Sequence, residues 1–138
     1  IHQFSAANVS VAIATDDGLY SATIYAADTK SPAEISEATA ELADKAQNGT
    51  LTKENISGGS FTVSNLGMYG ITQFTAIVNP PMGAILALGK ATQKVVIDNG
   101  EQRIATVLKA TLSCDHRVID GAVGAQYLAA LSEVIGSL

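Results

Sequence analysis

The chain has 138 residues, 47% of them hydrophobic, and a formal net charge of −5. That length suits one domain, and the apolar share excludes a disordered chain. The acidic balance argues against a nucleic-acid partner, whose footprint needs clustered Lys and Arg.

Aromatic residues are 5% of the total and Trp is absent, so the interior must be Ala, Val, Ile and Leu. The start, IHQFSAANVS, lacks the basic and apolar regions of a signal peptide. Ile1 stands where an initiator Met is expected, as in a processed or cut chain. No apolar run approaches the ~20 residues that span a bilayer, so no membrane partner is expected. The single cysteine, Cys114, cannot form an internal disulfide, which fits a reducing compartment.

Residues 8–15 alternate Val9, Val11 and Ile13 with small residues, the period of a strand. Asp16-Asp17-Gly18 marks a turn, and residues 19–26 read as a second strand. Ser31-Pro32-Ala33-Glu34 predicts a helix start. Ser31 caps, Pro32 takes the first helical position, and Glu34 completes a capping box. Ile35, Ala38, Leu42 and Ala46 follow at helical spacing, and Gly49 is the expected stop.

Residues 60–64 (SFTVS) read as a strand, and Asn65 to Gly70 as a loop. Residues 74–78 (FTAIV) read as a short strand halted by Asn79-Pro80-Pro81. The continuous apolar run 84–89 (AILALG) predicts a strand buried on both faces. Asp98-Asn99-Gly100 is a hairpin signal joining strand 93–97 to strand 102–113. A final helix is expected from Gly121 to Ile135, with Val123, Leu128, Leu131 and Ile135 on one face. There is no repeat and no linker.

The fold class is α+β: a mixed sheet flanked by at least two helices. Two helices cover so apolar a sheet thinly. Ile77, Val78, Ile85, Leu86 and Leu88 call for partners, which oligomerisation or further chain would supply.

Chemistry concentrates in DHRVIDG, residues 115–121. In the structural reading, His116 is an imidazole at a strand-to-helix turn, and Asp115 and Asp120 are acids favoured at a helix start. In the functional reading, His116 is a general base, since an ordinary imidazole pKa of about 6.5 suits proton transfer near neutral pH. Asp120 would then steady the ring or organise the loop. The spacing leaves both open. A metal site needs at least three ligands, and His2 is remote in sequence, so no metal is expected. Cys114 beside His116 suggests a nucleophile pair, but a lone Cys at a strand end is more often a small buried hydrophobe. The glycine-rich stretch GGSFTVSNLGMYG (58–70) matches no phosphate-binding loop, and by composition its Ser64 is an ordinary hydroxyl.

Three segments, in order, carry a resemblance: FTVSNLGMYGITQFTAIVNPP, AILALGK and LSCDHRVIDGAVGAQ. Together they resemble the inner-core catalytic domain of the dihydrolipoyl acyltransferases, the central enzymes of 2-oxo acid dehydrogenase complexes. The likeness runs from about Val9 to Leu138. The wording around SNLGMYGI and FTAIVNPP is similar to the acetyl-transferring branch that serves pyruvate dehydrogenase.

The resemblance implies a fold like that of chloramphenicol acetyltransferase. It implies acetyl transfer between S-acetyl-dihydrolipoamide and coenzyme A, with His116 as general base on the coenzyme A thiol. Ser64 would donate to the tetrahedral oxyanion, and Asp120 would hold the histidine loop. It also implies a homotrimer assembled into a larger cage, with His116 meeting Ser64 of an adjacent chain. The lipoyl group would arrive on a domain outside this chain. Partners would be the pyruvate dehydrogenase and dihydrolipoamide dehydrogenase components, in a mitochondrial matrix or bacterial cytoplasm.

Two departures from the family stand out. Residues 1–138 are expected to be the later part of one catalytic domain. They lack an early helix-rich segment, an arginine that pairs with the acid at Asp120's position, and the lipoyl and subunit-binding domains. Where the family reads GLITPIV, this chain has Gly18-Leu19-Tyr20-Ser21-Ala22-Thr23-Ile24, losing the proline and gaining Tyr20 and Thr23. A non-catalytic core component of the protein X type is the alternative, although such relatives usually lack the histidine that this chain keeps.

Overall fold

The computed structural model describes residues 1–98 and 100–137. The alternating segment at the start forms β1 (Val9–Thr15), which turns through Asp16-Asp17 into β2 (Gly18–Ile24). Helix α1 (Pro32–Gln47) begins as its sequence predicts. The Ser31 side chain accepts from the Glu34 N–H, and the Glu34 carboxylate accepts from the Ser31 N–H at 2.8 Å. It ends just before Gly49, whose φ of +65° suits glycine. After β3 (Phe61–Asn65) comes a long excursion, then β4 (Ala84–Leu88). β5 (Thr92–Asp98), β6 (Glu101–Val107), β7 (Ala110–Cys114) and α2 (Gly121–Gly136) complete the chain.

The sheet has the order β2-β1-β3-β4-β7, and β5 and β6 form a separate two-stranded ribbon. β1 runs parallel to β3 and β3 to β4, whereas β2 and β7 are antiparallel edges. This is the mixed α+β architecture expected. β4, an interior strand, is buried on both faces, as its unbroken apolar run requires: Ala84, Ile85, Leu86 and Ala87 are all buried.

Register assigns the faces. Val11, Val63, Leu86 and Leu112 form one row across the sheet. Both helices lie on the face this row presents. Leu42 and Ala46 of α1 pack with Ile13, Ala22 and Ile24. Gly124 of α2 comes close to Leu112 and Cys114, and Tyr127 meets the Phe61 ring at 5.5 Å.

The opposite face is rich in hydroxyls. Ser10 and Thr23 hydrogen-bond to each other there at 2.9 Å, fully buried, and Thr62 Oγ1 donates to Met82 Sδ. What covers this face over β4 is not a helix but the excursion before it. Lys90 N–H donates to Ile71 O, and a Cβ on Gly89 would strike the Thr72 backbone. The chain therefore passes directly over Gly89 at one end of β4 and returns to Met82 at the other.

Several expectations need correction. Residues 74–78 are not a strand: they form an extended strap that pairs with no ladder. β3 and β4, its neighbours in sequence, already pair with each other, so no edge is open to it. It keeps strand-like alternation, with Phe74, Ala76 and Val78 half-buried and Ile77 90% exposed. The expected strand 102–113 is two strands, parted at Leu108-Lys109, one in the ribbon and one in the main sheet. Asn99 of the hairpin signal lies outside the described residues, but Asp98 and Glu101 do pair across it. On α2 the expected apolar face is only half used. Leu128 and Leu131 are half-buried, while Val123 and Ile135 are about half exposed, because the helix contacts the sheet through Gly124.

Candidate active site

Ser64 sits near the end of β3, on the face away from both helices. Its backbone is held on one side by Ala87 of β4, in line with Thr111 of β7. Just beyond it the chain turns. Asn65 Oδ1 accepts from the Gly67 N–H at 2.8 Å, and Leu66 N–H donates to Leu88 O. A side chain at Gly67 would press on the Lys90 backbone, so the turn closes tightly against the end of β4. Ser64 is half-buried, and its hydroxyl has no hydrogen-bond partner among the described residues.

His116 lies at the other end of the sheet, on the turn that links β7 to α2. The pairing of β7 with β4 continues one step, with Asp115 N–H donating to Gly83 O at 2.8 Å. The chain then folds back: Val118 and Ile119 N–H groups both donate to Asp115 O. Arg117 closes the turn from outside. Its backbone N–H and its guanidinium both donate to the Asp115 carboxylate, the shortest contact being 2.6 Å. The guanidinium hydrogen bonds hold the Asp115 pKa down at about 2. Asp120 then caps α2, its Oδ1 accepting from the Val123 N–H at 2.9 Å. His116, at the apex, is exposed.

Of the two helix-start acids expected, Asp120 is one and Asp115 is not. Asp120 is the cap, and Asp115 is the anchor of the turn. Among the described residues no hydrogen bond joins Asp120 to His116; the Asp120 carboxylate is engaged by the Val123 N–H. Arg117 was missed by reasoning from the sequence. Its signal was present, since an arginine two residues after an aspartate can reach back across one turn. Cys114 is half-buried against Gly124, and burial pushes its thiol pKa up, the opposite of an activated nucleophile.

Ser64 and His116 are not brought together within one chain. Ser64 aligns with Ala87, and Cys114 aligns with Ala84. Those rows are roughly 10 Å apart along β4, His116 lies two residues further off, and two strand spacings of about 4.8 Å part β3 from β7, so the gap is on the order of 20 Å. A hydrogen bond needs about 3 Å. A hydroxyl and an imidazole at opposite ends of one sheet can share a reactant only if a second chain brings its own opposite end alongside.

Comparison with known proteins places the sequence in a family. The sequence matches the family 2-oxoacid dehydrogenases acyltransferase (catalytic domain) over residues 1–138. The chain belongs to that family. It is 45% identical, over 94% of its length, to the dihydrolipoyllysine-residue acetyltransferase component of the pyruvate dehydrogenase complex of Rickettsia felis. It is 48% identical, over 98% of its length, to component 3 of the mitochondrial counterpart in Arabidopsis thaliana. The chain spans 32% of the first protein and 26% of the second.

Among solved structures it superposes on a probable dihydrolipoamide acetyltransferase from Listeria monocytogenes with a TM-score of 0.94 and 34% identity, covering 99% of this chain and 58% of that one. It matches the cubic core of the pyruvate dehydrogenase multienzyme complex at 0.91 and 37% identity, covering 95% and 54%. The Azotobacter vinelandii dihydrolipoamide acetyltransferase also matches, at 0.91 and 38% identity, covering 96% and 54%. That enzyme was studied for the role of one serine, one histidine and one asparagine in its catalytic mechanism.

Proposed function

We propose that this chain forms part of an acetyltransferase core that moves an acetyl group between S-acetyl-dihydrolipoamide and coenzyme A in a pyruvate dehydrogenase complex. The observation that carries the reading is the placement of Ser64 and His116 at opposite ends of one sheet. A symmetric ring of chains sets one end against the other, and a trimer does so with a single repeated interface. The serine, histidine and asparagine studied in the Azotobacter enzyme stand at the same sequence spacings as Ser64, His116 and Asp120. Aspartate here replaces asparagine there, and both residues cap helices well.

In the forward direction, a His116 ring nitrogen takes the proton of the coenzyme A thiol. The thiolate attacks the carbonyl carbon of the acetyl thioester, forming a carbon–sulfur bond and a tetrahedral oxyanion. Ser64 of the adjacent chain donates its O–H to that oxyanion. Collapse breaks the bond to the dihydrolipoamide sulfur, which leaves with the proton from the imidazolium. An ordinary thiol pKa of about 8.5 leaves most of the acceptor protonated at neutral pH, which is why the base is needed. The Arg117–Asp115 clamp and the Asp120 cap keep the base on a fixed turn. Neutralisation of Asp115 by Arg117 also limits how far that acid acts on the ring.

In the wider reading, trimers build a larger cage, and the lipoyl group reaches the site on a separate domain. The pyruvate dehydrogenase and dihydrolipoamide dehydrogenase components dock through parts outside these residues. The compartment is a mitochondrial matrix or a bacterial cytoplasm. No helix among the described residues is long and apolar enough to cross a membrane.

The test is acetyl transfer to coenzyme A by the full-length protein and by Ser64→Ala. Loss of one oxyanion donor should lower kcat about 100-fold and leave coenzyme A affinity nearly unchanged. Equal turnover by the variant would remove Ser64 from the chemistry. An inactive wild-type protein would favour the structural core component instead.

A further inference from the structure

Where the strap returns to β4, one side chain turns down into the sheet. Asn79, Pro80 and Pro81 are exposed, but Met82 is 6% exposed. Its Sδ accepts from Thr62 Oγ1 on the hydroxyl-rich face. The space around it is small. A Cβ on Gly59 would lie 3.1 Å from Met82 Cε and 3.2 Å from Thr23 Oγ1, and it would strike Ser10 Oγ. Gly59 thus leaves just enough room for the thioether beside the Ser10–Thr23 pair. A flexible, polarisable side chain suits such an irregular seat.

The seat reaches the His116 turn through the next residue. Gly83 N–H donates to Ser60 O at 3.0 Å, and Gly83 O accepts from Asp115 N–H at 2.8 Å. A Cβ on Gly83 would lie 3.8 Å from Val118 Cγ1 and 3.9 Å from Ile119 Cδ1, so the turn rests against Gly83 as well as bonding to it. The first residue of the turn therefore hangs from the residue that follows Met82. The Ser64 end has no such dependence. β3 is paired with β4 from Phe61 to Asn65 and with β1 from Phe61 to Val63, so the ladders hold Ser64 in place without Met82.

We propose that Met82 is a positioning residue for His116. Seated on Thr62, it fixes Gly83, and Gly83 fixes the turn that carries the base. The inference rests on the acyl-transfer reading above. Met82 acts on the ring only through Gly83 and Asp115, by packing and hydrogen bonds. Such an effect is enough to matter, because a displacement of about 1 Å at a reacting group can cost on the order of 100-fold in rate.

The experiment uses the full-length protein with Met82→Ala, which empties the seat, and Met82→Leu, which keeps its volume. Met82→Val, a milder truncation, carries the test if the Ala variant does not fold. Two readouts are taken: acetyl-transfer kinetics and amide exchange. Met82→Ala should lower kcat about 10-fold, with KM for coenzyme A and for the acetyl donor within about 2-fold of wild type. Met82→Leu should restore most of the turnover. In the Ala variant, exchange at the Asp115 N–H should quicken about 10-fold, while exchange at Leu66, beside Ser64, should stay as in wild type. Equal quickening at both ends would make Met82 a general stabiliser and overturn the proposal. So would unchanged exchange at Asp115. Selective quickening at Asp115 with wild-type kcat also overturns it, and leaves the acyl-transfer reading intact. A wild type that transfers no acetyl group removes that reading; selective quickening at Asp115 would still uphold the tether from Met82 to the turn.

Discussion

The two ends of the central sheet are built by different means. The Ser64 end is fixed mainly by close backbone approaches, at Gly67 and where the strap crosses Gly89, with one side-chain bond from Asn65 at its turn. The His116 end adds side-chain locks to its backbone turn: the Arg117–Asp115 clamp and the Asp120 cap. A hydroxyl that must meet an oxyanion gains from a rigid frame, because preorganised donors need no rearrangement during reaction. A base that must accept and return a proton needs a fixed position and room to turn. The exposed apex of a clamped turn provides both.

Removing both ends at once, in different chains, tests this division most severely. His116→Ala should cut acetyl transfer about 1,000-fold, and Ser64→Ala about 100-fold. If each site joins the two ends of neighbouring chains, co-expressed His116→Ala and Ser64→Ala subunits will form some sites with both wild-type residues. Mixed assemblies should then recover a sizeable fraction of wild-type turnover. Assemblies mixed in this way that stay as slow as the parents would place both residues in one chain's site and break the comparison.

At the Ser64 end, the sharpest probe is Gly89. A methyl group there meets the Thr72 backbone, which a flexible side chain could avoid but a tethered strap cannot. Gly89→Ala should cost about 2 kcal/mol in urea unfolding, as overpacking does, and should lower transfer in step. A variant as stable as the parent would mean that the strap is not held at this point.

Much of this organisation could be read from the sequence. The capping box of α1 and the buried run of β4 are local patterns, and local patterns survive folding. The strap at 74–78 was misread because its alternation is real. It shields one face against the sheet, and no local signal distinguishes that from pairing at an edge. The split of 102–113 was hidden for a similar reason: Leu108-Lys109 carries no turn residue, and the break is imposed by the bond from Gly89 N–H to Lys109 O. At the site, DHRVIDG marked the histidine and the cap. The distance between His116 and Ser64 depends on strand order and register, which one sequence does not display.

At the His116 end, effects should be smaller. Asp120→Ala removes the cap of α2 and should cost about 1 kcal/mol, with a matching loss of transfer as the turn loosens. Asp120→Asn keeps an acceptor for the Val123 N–H and should retain most of both. Denaturant curves and turnover numbers for the two variants, compared side by side, decide the matter. If Asn behaved like Ala, the carboxylate would have a charge-dependent role beyond capping.

The smallest effect expected is a change in acidity. Arg117 hydrogen bonds, followed by its backbone N–H, hold Asp115 down at a pKa of about 2, against about 3.9 in an unfolded chain. A carboxyl depressed on folding stabilises the fold above its unfolded pKa, and loses that contribution as pH falls through the folded value. The clamp should therefore be intact at every pH above about 4 and should open only as the pH approaches 2. The Arg117 side chain is 84% exposed, so solvent screens the pair and its contribution to global stability should be slight. Its effect should instead be local. Arg117→Gln should return Asp115 toward the ordinary carboxylate range, which carboxyl NMR titration reads directly. The same variant should speed amide exchange at Val118 and Ile119, whose N–H groups bond to Asp115 O within the clamped turn. An Asp115 titration unchanged by Arg117→Gln would show that backbone donors alone hold the carboxylate. The His116 end would then be built from backbone like the Ser64 end, and the contrast between them would vanish.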